Sequence, residues 1–141
     1  MTDIMDWDHC KREFIRVVEV DKSRIDSIIK KANKRLQRAR KQKVEKDNSD
    51  FIVEDYYEVI KELLVAYLLK NGLRSKNHQC LISYFYKQNK NYEMEAHLIS
   101  QMSLFRNRLD YYGEYIPLEF LKNNKEKFEE IIVLLKKLID N

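Results

Sequence analysis

Glycine and proline together fill three of the 141 positions, far below their ordinary combined share of about 12%. A sandwich or barrel of short strands needs turn residues every ~8–12 positions, so an all-β fold is excluded and an all-α fold is expected. The chain also carries nine Tyr and six Phe within a hydrophobic fraction of 44%. That is enough apolar surface to build a core and argues against disorder. A chain of 141 residues suits one domain and leaves no room for two full cores.

Residues 1–20 read as an accessory segment lying along the domain. Asp3 or Asp6 can cap a short helix, while the β-branched run Phe14 to Val20 suits an extended arm. Residues 21–141 read as an up-and-down bundle of about five helices. The first is expected over 21–46, where Ile25, Ile28, Ile29, Ala32, Leu36 and Ala39 form one apolar stripe. The second, over 51–70, is apolar nearly all round, as central or interface helices are, and ends at Asn71-Gly72. A third is expected from Ser75 to Gln88, and a fourth from Tyr92 to Tyr112, closed by Gly113. The last begins at Pro117 and runs to about Ile139.

Charge is distributed unevenly. Between Lys30 and Lys46 nine basic residues meet one acid, Glu45, although the whole chain carries only +4. Lys30, Lys34, Arg38 and Lys41 advance by 4, 4 and 3 along the face opposite the apolar stripe. With Arg35, Arg40 and Lys43 they read either as a solvated helix face or as a ridge for an anionic partner. No aromatic residue lies within the run, so nucleic acid would be held there through its phosphates, with little sequence preference.

Most catalytic signatures are absent: no Gly-rich phosphate loop, no GxSxG, no HExxH and no CxxC pair. His9, His78 and His97 are scattered, so no metal site and no cofactor are expected. Cys10 and Cys80 stand 70 positions apart and are expected to be reduced, partly buried thiols of a cytoplasmic protein. No run of ~18 apolar residues is available to span a membrane, and the N-terminus is acidic rather than signal-like.

One segment concentrates chemistry. Leu104-Phe105-Arg106-Asn107-Arg108-Leu109-Asp110-Tyr111-Tyr112-Gly113 sets a guanidinium, an amide, a carboxylate and two phenols near a helix end. A guanidinium binds phosphate bidentately and stabilises charge developing on it. The same residues also read as a salt-bridged helix end whose two tyrosines pack into the core.

At this segment the chain resembles the HEPN family of small α-helical proteins. The likeness covers about residues 21–140. It takes in the basic first helix, the apolar second helix ending in Asn71-Gly72, Ser75-Lys76-Asn77-His78 at the third helix, and Leu104-Phe105-Arg106-Asn107 before Tyr111-Tyr112-Gly113. Many HEPN proteins are metal-independent ribonucleases whose motif is Arg, a polar residue, and a His four to six positions on. The resemblance puts Arg106 and Asn107 in the first two places and Tyr111 or Tyr112 where the histidine belongs. A phenol, with a pKa near ~10, is a poor base at neutral pH, although it can donate to phosphate or stack on a base. His97 is no substitute, since nine positions before Arg106 it falls on the opposite helix face.

The resemblance further implies a homodimer that brings two Arg motifs together. It also implies pairing with a small nucleotidyltransferase in a toxin–antitoxin system, with Tyr112 or Tyr115 as a modified residue. Two functions are therefore expected. One is an RNA- or nucleotide-binding protein, with ribonuclease activity carried by Arg106, Asn107, Tyr111 and Tyr112 and nucleic acid held by Lys30, Lys34, Arg35, Arg38 and Lys41. The other is a catalytically inactive module that pairs with a nucleotidyltransferase or another protein.

Overall fold

The computed structural model describes residues 3–141. The chain is mostly helical, with six α-helices and a small two-stranded sheet among the described residues. In chain order these are α1 (Trp7–Glu13), β1 (Ile15–Val17), α2 (Lys22–Lys41), α3 (Ser49–Lys70), β2 (Leu73–Ser75), α4 (His78–Gln88), α5 (Glu93–Tyr112) and α6 (Leu118–Asp140), with a 3-10 turn at Lys90–Tyr92 before α5. No helix among them is long and apolar enough to cross a membrane.

The all-round apolar helix of the sequence is the central one. α3 packs against α2, α4, α5 and α6 and buries residues on every side, including Ile52, Tyr56, Ile60, Leu63 and Leu68. Its neighbours each turn one stripe inward: Ile25, Ala32, Leu36 and Ala39 from α2, and Phe128, Ile131, Ile132 and Leu135 from α6. Aromatic rings continue this core, with Tyr56 against Phe128, Phe128 against Phe120, and Phe120 edge-on to Phe105 at 4.7 Å.

Helix ends follow local chemistry. The Asp21 carboxylate accepts from the Arg24 N–H and starts α2. α2 stops at Lys41 rather than continuing to Lys46, because Asn48 captures the following loop: its side chain accepts from Glu45 N–H and donates to Lys43 O. Gly113 takes a left-handed φ of 65° and closes α5. Its N–H donates to Leu109 O and that of Glu114 to Arg108 O. The linker beyond is anchored by the buried Asp50, which accepts from Ile116 N–H.

The N-terminal segment contains both a helix and an extended piece. Asp6 caps α1 by accepting from His9 N–H. β1 then pairs antiparallel with β2, with Ile15 opposite Ser75 and Val17 opposite Leu73. Gly72 reaches a φ of 73° at the turn into β2, and a side chain there would press on Val18 O at 3.3 Å. This pairing takes up Ser75, so the helix expected from that residue begins at His78, with Asn77 as its cap.

The expectation of reduced thiols is corrected. Cys10 and Cys80 form a disulfide, their Cα atoms 5.5 Å apart and both residues fully buried. The β1–β2 pairing and the packing of α1 on α4 bring together two residues that no local spacing relates.

Candidate functional site

α5 turns Ala96, Ile99, Met102 and Ser103 toward the core. Continued at 3.6 residues per turn, the same side reaches Arg106 and Asp110, so the last turns of this helix meet α3 with charge. Arg106 is half-buried there. Its Nη2 lies 3.4 Å from Glu58 Oε1 of α3, and its Nε lies 3.3 Å from Asp110 Oδ2. Glu58 also holds Lys61 Nζ at 2.6 Å. The Arg106 Nε and the Glu58 Oε1 atoms are closed to solvent without a well-directed hydrogen bond, so each depends on the charge of its neighbour. Glu54, one turn before Glu58, has its pKa raised, first by desolvation and then by the charge of Asp110.

Of the other residues expected around the Arg motif, Asn107 is half-buried. Tyr111 and Tyr112 do not pack into the core; they are 76% and 75% exposed. They extend past the charged seam into solvent, as does Tyr115. Asp50 ties Ile116 to the start of α3, which places the exposed ring of Phe51 near this loop.

The basic stretch divides into two sets. Arg35, Arg38 and Arg40 reach acids of other helices: Arg35 pairs with Glu62 at 3.2 Å, Arg38 with Asp55, and Arg40 with Glu129. Two of these positions, 35 and 40, flank the buried stripe of α2, where a long side chain naturally bends over the neighbouring helix. Lys30, Lys34 and Lys41 lie on the exposed face.

Reasoning from the sequence passed over two residues that the fold brings to Arg106, Glu58 and Lys61 of α3, and gave no role to the exposed His78 at the start of α4, which feels the charges of all three. Gln79 Nε2 donates to Ser103 Oγ at 2.7 Å, which lays the beginning of α4 over α5 one turn before Arg106. Tyr57 Oη donates to the same oxygen. His78 has its pKa lowered from 6.5, first by desolvation of its inner side and then by Lys61, with Glu58 opposing and Arg106 adding to the effect. The i, i+4 and i, i+3 spacing of Glu54, Glu58 and Lys61 was the only available signal, and it is common on any helix.

Among the described residues no group of His, Cys, Asp and Glu is arranged to hold a metal ion. Compared with models of protein families, with curated proteins and with solved structures, the chain matches none.

Proposed function

We infer that this chain is an HEPN-like helical protein of the non-catalytic kind, a module that works by binding a protein partner. The observation that carries this reading is the position of Arg106 between Glu58 and Asp110. A phosphate reaching that guanidinium has to displace a carboxylate and then sit beside it, and like charges in a partly desolvated site repel strongly. The order of motifs from the basic helix to Tyr111-Tyr112-Gly113 supports the HEPN likeness. A nucleotidyltransferase, or a second copy in a homodimer, is the partner that the likeness suggests.

A second reading keeps an RNA- or nucleotide-binding role with metal-independent ribonuclease activity, and one specific observation favours it. His78 opens α4 beside Gln79, whose side chain reaches Ser103 of α5, and desolvation together with the charge of Lys61 lowers its pKa from 6.5, which favours the neutral imidazole. In RNA transesterification such an imidazole takes the 2′-hydroxyl proton as the 2′-oxygen attacks phosphorus, cations steady the phosphorane, and the imidazolium returns the proton to the 5′-oxygen as the P–O5′ bond breaks. In that reading Arg106 and Lys61 stabilise charge, His78 takes the place that neither Tyr111 nor Tyr112 fills, and Lys30, Lys34 and Lys41 hold the RNA backbone.

Cleavage of labelled single-stranded RNA in EDTA separates the two, using wild type, Arg106→Ala, His78→Ala and Tyr111→His. The interaction module leaves RNA intact in wild type. Wild-type cleavage that disappears in both Arg106→Ala and His78→Ala overturns it in favour of the ribonuclease.

A further inference from the structure

A groove of about 650 Å³ runs between α5 and α6, on the opposite side of α5 from Arg106. Its floor is apolar: Met94, Leu98, Leu104 and Phe105 from α5, with Ile131 from α6. Two of these are solvent-exposed, Met94 at 74% and Leu104 at 41%. On α5 the lining recurs at Met94, Leu98, Gln101, Phe105 and Arg108, the spacing by which one helix receives another. From Met94 to Arg108 the floor is about 21 Å long, or four helical turns.

The rim carries a charge gradient. α5 runs antiparallel to α3, with Arg106 at Glu58 and Asp110 at Glu54. α6 runs parallel to α3, with Glu129 at Tyr56 and Leu138 at Lys70, so α6 is antiparallel to α5 and Glu130 falls on the Glu95 side of Lys127. Lys127 follows, and Arg108 marks the other end, where it has only a loose contact with Glu114 at 4.0 Å. An acidic end favours the positive N-terminus of a docked helix and basic residues in its first turn, and a basic end favours the reverse.

We propose that the α5–α6 groove is the docking site for an amphipathic helix of about four turns from a partner protein, bound with its basic N-terminal end at Glu95 and Glu130 and its acidic C-terminal end at Arg108. This proposal rests on the interaction-module reading and gives that module its partner's chemistry.

The probe is a fluorescent 14-residue helical peptide with Leu at i, i+3, i+4 and i+7 spacing, Lys in the first turn and Glu in the last. A second peptide has the two charge sets exchanged. The first is expected to bind the full chain at least tenfold more tightly than the second. Leu104→Glu, at a position already partly exposed, abolishes binding while the circular dichroism spectrum and melting temperature stay near wild type. Glu95→Lys with Glu130→Lys reverses the preference between peptides, a change that general loss of fold does not produce. Equal binding of both peptides, or of neither, overturns the proposal. So does a concentration-dependent dimer in sedimentation that Leu104→Glu dissociates, because the occupant is then a second copy. RNA cleavage by the same preparation removes the module reading without altering the peptide result, so the two failures are distinguishable.

Discussion

Arg106 of α5 and Glu58 of α3 face each other across 3.4 Å, half-buried at the place where the helix interface changes from apolar to charged. Removing either partner breaks the tie between α3 and α5 and leaves the other charge only partly compensated in a poorly hydrated seam, by Asp110 for Arg106 and by Lys61 for Glu58. Arg106→Ala is expected to cost on the order of 1–3 kcal/mol. Arg106→Met combined with Glu58→Met should recover most of that loss. Urea unfolding of the single and double variants checks both, and a double variant as unstable as the sum of the singles contradicts the pairing.

Glu54 is held above its usual carboxylate pKa of 4.5 by desolvation and by Asp110. A raised folded-state pKa gives stability that is complete below the unfolded value and is lost as pH rises through the folded one. Glu54→Gln is therefore expected to raise the melting temperature by a few degrees at pH 7. The gain should shrink as pH falls through the folded pKa of Glu54. Melting curves at pH 4 and pH 7 test this, and a gain that is equal at both sinks the assignment.

Glu129 behaves in the opposite sense. Arg40 donates to it and Tyr56 Oη donates to it at 2.6 Å, which holds its pKa below 4.5 against the effect of burial. A depressed folded-state pKa gives stability present above the unfolded value and lost as pH falls through the folded one. Glu129→Gln should weaken the fold at neutral pH and flatten the acid limb of the stability profile below about pH 4.5. Tyr56→Phe, which removes one donor and little volume, should cost about 1–2 kcal/mol.

The Cys10–Cys80 bond closes a loop across 70 positions. On chain-entropy grounds such a cross-link contributes about 4 kcal/mol. Cys10→Ala with Cys80→Ala is expected to lower the unfolding midpoint accordingly and to expose the N-terminal arm. Limited trypsin digestion should then cut first at Arg12 or Arg16, both on the surface. An arm equally resistant in oxidised and reduced protein contradicts the bond's role as its anchor.

The core was largely legible because one-dimensional periodicity encodes burial for a helix. Ile25, Ala32, Leu36 and Ala39 of α2 are buried and all fall on the stripe that spacing predicts. The end of α2 was not legible. It depends on two hydrogen bonds made by the Asn48 side chain, and five residues of mostly polar and charged sequence, Gln42 to Lys46, continue beyond it with no glycine or proline to mark a stop. Ser75 was misread for a related reason: a cap residue and a strand residue look alike until the paired strand is known.

The sequence by itself determined the helical class, the all-round apolar character of the helix around Tyr56 and Leu63, and the concentration of basic residues on α2. Composition and spacing are local properties, and these features follow from them. Only the tertiary structure decided which charges meet. It set Arg106 against Glu58, bent Arg35 and Arg40 toward acids of α3 and α6, laid Gln79 of α4 on Ser103 of α5, and joined Cys10 to Cys80. Ion pairs and disulfides act over a few ångströms between residues far apart in the chain, and no periodicity records which partner packing will supply.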